Sequence, residues 1–276
     1  MKKALIKTII LAVFFGMFFA LRFLNTEGDL YASDIILKYA FSNHSFLYTD
    51  IIYICIEMIP YFTFMFIFGT YIYEHFNIAS VYYFSRCSRR VRWLCKEMFK
   101  LFIITLIFVT LMPIAGIGLA AAGNHILFDV ESLWIYFYFI IIYSFWLFGF
   151  TLIINIISIR KGSLTGFSIV TGVLLVFIAL FALWNNESVF SLNLIENPDL
   201  MRNTKFLMLN FAAHLILPWH SSTNIMINNR INYLGLDFDL NISVVLFIVI
   251  AMISVLISIV FVKKQDLIIL TRQMEN

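Results

Sequence analysis

The 276 residues are 62% hydrophobic and 18% aromatic with only 13% charged, and the mean hydropathy of +0.93 lies outside the range of soluble domains. A net charge of +3 on such a chain gives no support for nucleic-acid binding, and the odd count of three cysteines (Cys55, Cys87, Cys95) argues against a disulfide framework. The composition is that of an integral membrane protein.

Lys2, Lys3 and Lys7 precede an apolar run from Thr8 to Leu24. The run is long for a signal peptide and no small-x-small cleavage site follows it, so it reads as a retained first span, 8–24. A polar loop over 25–50 carries Glu27, Asp29, Asp34 and Asp50. The second span, 51–73, contains Glu57 and Pro60, and a third, 101–122, contains Pro113 and closes at Gly123-Asn124. A short loop with Asp129 and Glu131 leads to a fourth span, 133–159, ended by Arg160-Lys161. The fifth, 164–184, is entered through Gly162-Ser-Leu-Thr-Gly166, a small-xxx-small spacing that permits close helix approach. A polar excursion over 185–241 precedes the sixth span, 242–262, and a charged tail.

Between the second and third spans, 74–100 forms a basic loop whose segment Tyr83–Lys100 carries Arg86, Arg89, Arg90, Arg92, Lys96 and Lys100. Phe84, Cys87, Val91, Leu94, Cys95, Met98 and Phe102 recur at steps of three and four, which predicts an amphipathic helix at the membrane surface running into the third span. Such a cluster serves either as a topological anchor or as a docking element, and Trp93 within it favours docking. With both termini cytoplasmic, fourteen of the nineteen basic residues fall on cytoplasmic segments, as the positive-inside rule requires. In the outer excursion, Phe206–Trp219 is nearly all apolar but too short to span. It reads as a re-entrant or interfacial segment, or as a helix packed on the outer mouth, with Phe206, Phe211 and Trp219 as its large side chains.

Glu57 is the acid placed inside a span, where an isolated carboxylate costs about 2.5–3.5 kcal/mol on insertion scales. With Pro60 one turn later, which frees a backbone carbonyl, it forms a candidate gate or substrate-path pair; a structural role is the alternative. The chain has no Walker A phosphate loop, no His-Glu-x-x-His and no Gly-x-Ser-x-Gly. His214 and His220 stand six apart, on different faces of a helix, which disfavours a zinc site.

This layout resembles the permease subunit of a bacterial type-2 ABC exporter. The string Tyr83-Phe84-Ser85-Arg86-Cys87-Ser88-Arg89-Arg90-x-Arg92-Trp93-Leu94-x-Lys96 is similar to the coupling helix of small permeases of that kind, and Val262-Lys263-Lys264-Gln265-Asp266 looks like their usual ending. The resemblance implies an all-α permease domain with six transmembrane helices in a bacterial cytoplasmic membrane. Tyr83, Phe84, Arg86, Arg89, Arg90, Arg92 and Trp93 would contact a separately encoded P-loop ATPase present in two copies. A second permease, identical or related, would complete the pair within the lipid bilayer. ATP and magnesium would bind the ATPase; this chain would bind no cofactor and catalyse no reaction. Amphipathic or antimicrobial peptides are the expected cargo, for export or immunity. An ATP-independent transporter or channel, or a membrane-embedded lipid-modifying enzyme, is the competing reading. The channel would usually show internal repeats or more intramembrane polar residues, and the enzyme convergent acids or histidines.

Overall fold

The computed structural model describes residues 1–24, 29–41, 48–82, 90–189, 208–232 and 237–264. Its long helices are α1 (Lys2–Ala20), α3 (Tyr48–Phe68), α5 (Arg90–Ala120), α6 (Val130–Lys161) and α7 (Ser163–Val189), with shorter α2 (Ala32–Lys38) and α4 (Tyr71–Tyr82) between them. α8 (Ile225–Ile231) and α9 (Leu240–Lys264) follow. Six helical stretches are long and apolar enough to cross a membrane, with α3 and the start of α4 supplying one of them. The chain is thus a polytopic, mostly helical protein.

α6 is the hub. Of its most apolar window 72% is buried, against 22% for α7 and for α9, and Phe139, Tyr143, Trp146 and Leu147 are fully enclosed. Buried aromatic rings interlock around it: Tyr61 lies 5.2 Å from Tyr143 and 5.3 Å from Trp146, and Phe64 lies 4.8 Å from Phe108. α6 turns into α7 through one residue, Gly162, whose φ of +90° is open to glycine and strained for other residues. Four residues on, a Cβ at Gly166 would sit 2.7 Å from the Ile154 carbonyl oxygen, so the small-xxx-small spacing permits close approach at its second glycine and makes the turn at its first.

The two ends of the bundle differ in charge. At one end, β1 (Leu30–Tyr31) after α1 pairs in parallel with β2 (Ile126–Leu127) after α5, so α1 and α5 run in the same direction. Asp29, Asp34, Asp129 and Glu131 stand at this acidic end. The opposite, basic end gathers Lys2, Lys3, Arg90, Arg92, Lys96, Arg160, Lys161 and Lys263. Arg160 lies 5.6 Å from the Phe261 ring there, joining the end of α6 to the end of α9.

Three elements depart from the sequence expectation. Part of the polar loop over 25–50 folds inward as α2, whose Ile35, Ile36 and Leu37 are buried with Tyr39 and Phe41. The basic segment from Arg90 is no separate surface helix. It forms the first three turns of α5, because nothing between Lys100 and Leu101 breaks a helix and Lys, Arg and Leu all favour one. At 31 residues α5 is roughly 46 Å long at ~1.5 Å per residue, so its basic turns project beyond a ~30 Å hydrocarbon core. Finally, the apolar outer stretch forms two 3-10 turns, Ala213–Leu215 and Leu217–Trp219, in place of a helix lying on lipid. Pro218 removes an amide donor there, and Ala212 to Trp219 are buried in the acidic-end cap.

Candidate functional site: buried polar links along the bundle

Glu57 is enclosed and paired. Lys38 Nζ, from the end of α2, lies 3.1 Å from Glu57 Oε1, and Arg22 Nη2, just past α1, lies 3.9 Å from the same oxygen. The Glu57 and Lys38 side chains are 6% and 11% exposed, so their charges meet away from bulk water. Glu57 Oε2 has no hydrogen-bond partner among the described residues, and the Glu57 side chain lines a void of about 10 Å³ together with Pro60, Lys38 and Tyr39. The same corner is tied by tyrosines. Tyr39 Oη donates to the Gly16 carbonyl at 2.7 Å, and Tyr61 Oη donates to the Tyr39 carbonyl at 2.8 Å. Burial holds the Tyr39 hydroxyl protonated well above the ordinary tyrosine range, against the opposing pull of Arg22. α1, α2 and α3 are thereby pinned at one point.

Toward the basic end the α3–α4 path is interrupted at Gly69-Thr70. A broken helix inside hydrocarbon needs its freed backbone groups bonded within the protein. Asn155 of α6, fully buried, meets that need: its Oδ1 accepts from Ile72 N at 2.7 Å and Tyr73 N at 3.2 Å, and its Nδ2 donates to the Phe68 carbonyl at 2.9 Å. One side chain closes both faces of the break.

Below the break, α4 and α5 are clamped together. Glu97, buried at 5% exposure, contacts His75 Nδ1 at 3.1 Å and Lys100 Nζ at 2.6 Å. Phe76 and Trp93 face each other at 6.1 Å. Of the amphipathic positions, Leu94 and Met98 are buried, Val91 and Phe102 half-buried, and Cys95 exposed. Arg90 is half-buried and Arg92 exposed, while Tyr83, Phe84, Arg86 and Arg89 lie outside the described residues.

The acidic-end cap holds a third link. His214 Nε2 donates to the Met208 carbonyl at 2.6 Å and His220 Nδ1 to the Ile216 carbonyl at 2.9 Å. Their second nitrogens both point at Ser243 Oγ, at 2.8 and 2.6 Å. The two histidines therefore converge although a helix would have separated them, because the 3-10 turns fold 208–220 back on itself. Burial lowers the His214 pKa, and burial, followed by the neighbouring His214, pushes His220 down to about 3. Phe211 packs 4.8 Å from Phe177, Trp219 is buried, and Phe206 lies outside the described residues.

Glu57 and Pro60 line the same small void, whereas Phe211 and Trp219 belong to a separate cap and Arg90, Arg92 and Trp93 to the basic end. Sequence reading passed over Asn155, Glu97 and Ser243, and did not connect Lys38 to Glu57. Asn155 alone carried a signal: it is an amide within a long apolar run. Among the described residues no group of three or more His, Cys, Asp or Glu side chains is placed to hold a metal ion. No family model matches the chain, and no curated protein or solved structure shows significant similarity to it.

Proposed function

We propose that this chain is the membrane permease of an ATP-driven exporter, with both termini and the α4–α5 basic hairpin in the cytoplasm and a separate P-loop ATPase beneath it. The observation that carries the reading is mechanical continuity. The basic turns of α5 are clamped to α4 by Glu97–His75 and Trp93–Phe76, and α4 leads through the Asn155-bridged break to α3 and Glu57. A push on the basic turns of α5 from ATPase closure would tilt α4 and α5 as a unit, flex the path at Gly69-Thr70, and shift α3 against the Lys38–Glu57 contact. Release of that contact would open the acidic end to the outer side. The gathering of basic residues at one end supports the orientation, and the family resemblance of residues 83–96 supports the partner. Amphipathic peptide is the proposed cargo.

The test is mild solubilisation from the native host, with mass spectrometry of what accompanies the tagged chain. A P-loop ATPase should accompany the wild type and be lost from Arg89→Ala/Arg92→Ala, which keeps the Trp93–Phe76 packing. Recovery of the chain alone, or retention of the ATPase by the variant, would remove the coupling assignment.

A further inference from the structure

Three hydroxyls on the hub helix α6 are enclosed without a partner. Ser144, Thr151 and Ser158 are 1%, 0% and 0% exposed, and none of their side-chain oxygens has a hydrogen-bond partner among the described residues. A buried hydroxyl normally finds one, and within a helix the carbonyl four residues back is at hand. Thr105, Thr171, Ser254 and Ser258, on α5, α7 and α9, each donate to that carbonyl at 2.6 to 2.9 Å. The three on α6 do not.

Their spacing is regular. Residues seven apart return to one face of a helix within about 20°. Positions 144, 151 and 158 therefore form a single stripe, and Asn155, also fully buried, stands on it four residues after Thr151. The stripe rises through fourteen residues, roughly 21 Å at ~1.5 Å per residue, which is about two-thirds of a ~30 Å hydrocarbon core. Asn155 identifies what lies against its middle: the α3–α4 break, through Phe68, Ile72 and Tyr73. A jointed helix path thus covers the face of α6 on which polar groups are left over.

We propose that this face of α6 is the polar wall of the cargo path, shut in this conformation and wetted when α3 and α4 swing off it at Gly69-Thr70. A hydroxyl both donates and accepts. The stripe therefore offers a passing peptide main chain, and the water around it, the bonds that the closed packing withholds. An unpaired buried hydroxyl costs stability while the face is covered, and that cost has a use only where the cover opens. The inference rests on the exporter reading and names the surface along which its cargo moves.

The experiment uses permeabilised membranes of the native host, so that the chain keeps whatever accompanies it, with ATP supplied. On a Cys55→Ala/Cys87→Ala/Cys95→Ala background, Ser144→Cys, Thr151→Cys and Ser158→Cys are compared with Thr105→Cys and Ser254→Cys, which are equally buried but replace self-bonded hydroxyls. A thiol in a dry interior stays protonated and inert, whereas one on a wetted wall ionises, so a cationic methanethiosulfonate should modify the three stripe positions at least about tenfold faster than the two controls. Thr151→Val, which keeps the shape and removes the hydroxyl, should leave the thermal midpoint in detergent unchanged or higher. Stripe thiols as slow as the controls would overturn the proposal, and so would a drop of several degrees for Thr151→Val, which would mark a bonded, structural hydroxyl. A wetted stripe in a chain that captures no ATPase would sink the exporter reading alone, and a dry stripe in a chain that does capture one would sink this inference alone.

Discussion

Lys38 and Glu57 show why a buried ion pair is best tested by breaking it on one side. Removing one partner of such a pair leaves the other charge without compensation, which typically costs about 3–5 kcal/mol. Lys38→Met should therefore lower thermal stability in detergent sharply. Lys38→Met/Glu57→Gln should recover most of the loss, and equal destabilisation by the single and double variants would show that the pair's charges do not govern the corner. His220 makes a prediction in pH. Its ring is held neutral down to about pH 3 in the folded cap, whereas an exposed histidine takes up a proton near 6.5. Between those values the unfolded chain binds more protons, so stability falls as pH drops below about 6.5 toward 3. Thermal unfolding followed across that window should show the decline, and His220→Gln should flatten it.

At the scale of the helix, the Asn155 bridge turns an interruption into a defined joint. Asn155→Leu keeps the approximate volume but strands the amides of Ile72 and Tyr73 and the Phe68 carbonyl, each unpaired group costing about 1–3 kcal/mol. The expected result is a marked loss of stability and faster amide exchange confined at first to the start of α4; exchange unchanged around Ile72 would show that the break is held by packing alone. α5 presents the opposite case. Its basic turns and its apolar turns are one helix, so movement imposed near Arg92 travels along it as far as Pro113, where the missing amide donor interrupts the hydrogen-bond ladder.

For the whole molecule, orientation is the first matter to measure. Cys95 is exposed at the basic end and Phe128 at the acidic end. In intact cells a membrane-impermeant maleimide should spare Cys95 and label Phe128→Cys, with Cys95 reacting only after permeabilisation. The reverse pattern would invert the proposed topology and place the α4–α5 hairpin where no cytosolic ATPase could reach it.

Composition and hydropathy by themselves determined that the chain carries six helical stretches long and apolar enough to cross a membrane, because each needs only a local run of apolar residues of sufficient length. The basic clusters beside Lys2, Arg90, Arg160 and Lys263 likewise mark one end of every helix they adjoin. What joins those passes was decided by tertiary structure. Lys38 meets Glu57 from 19 residues away only because α2 folds into the bundle, Asn155 closes a gap more than 80 residues distant in sequence, and His214 and His220 converge on Ser243 only through two 3-10 turns. In hydrocarbon a polar side chain must find its partner inside the protein, and no local pattern states which distant residue will supply it.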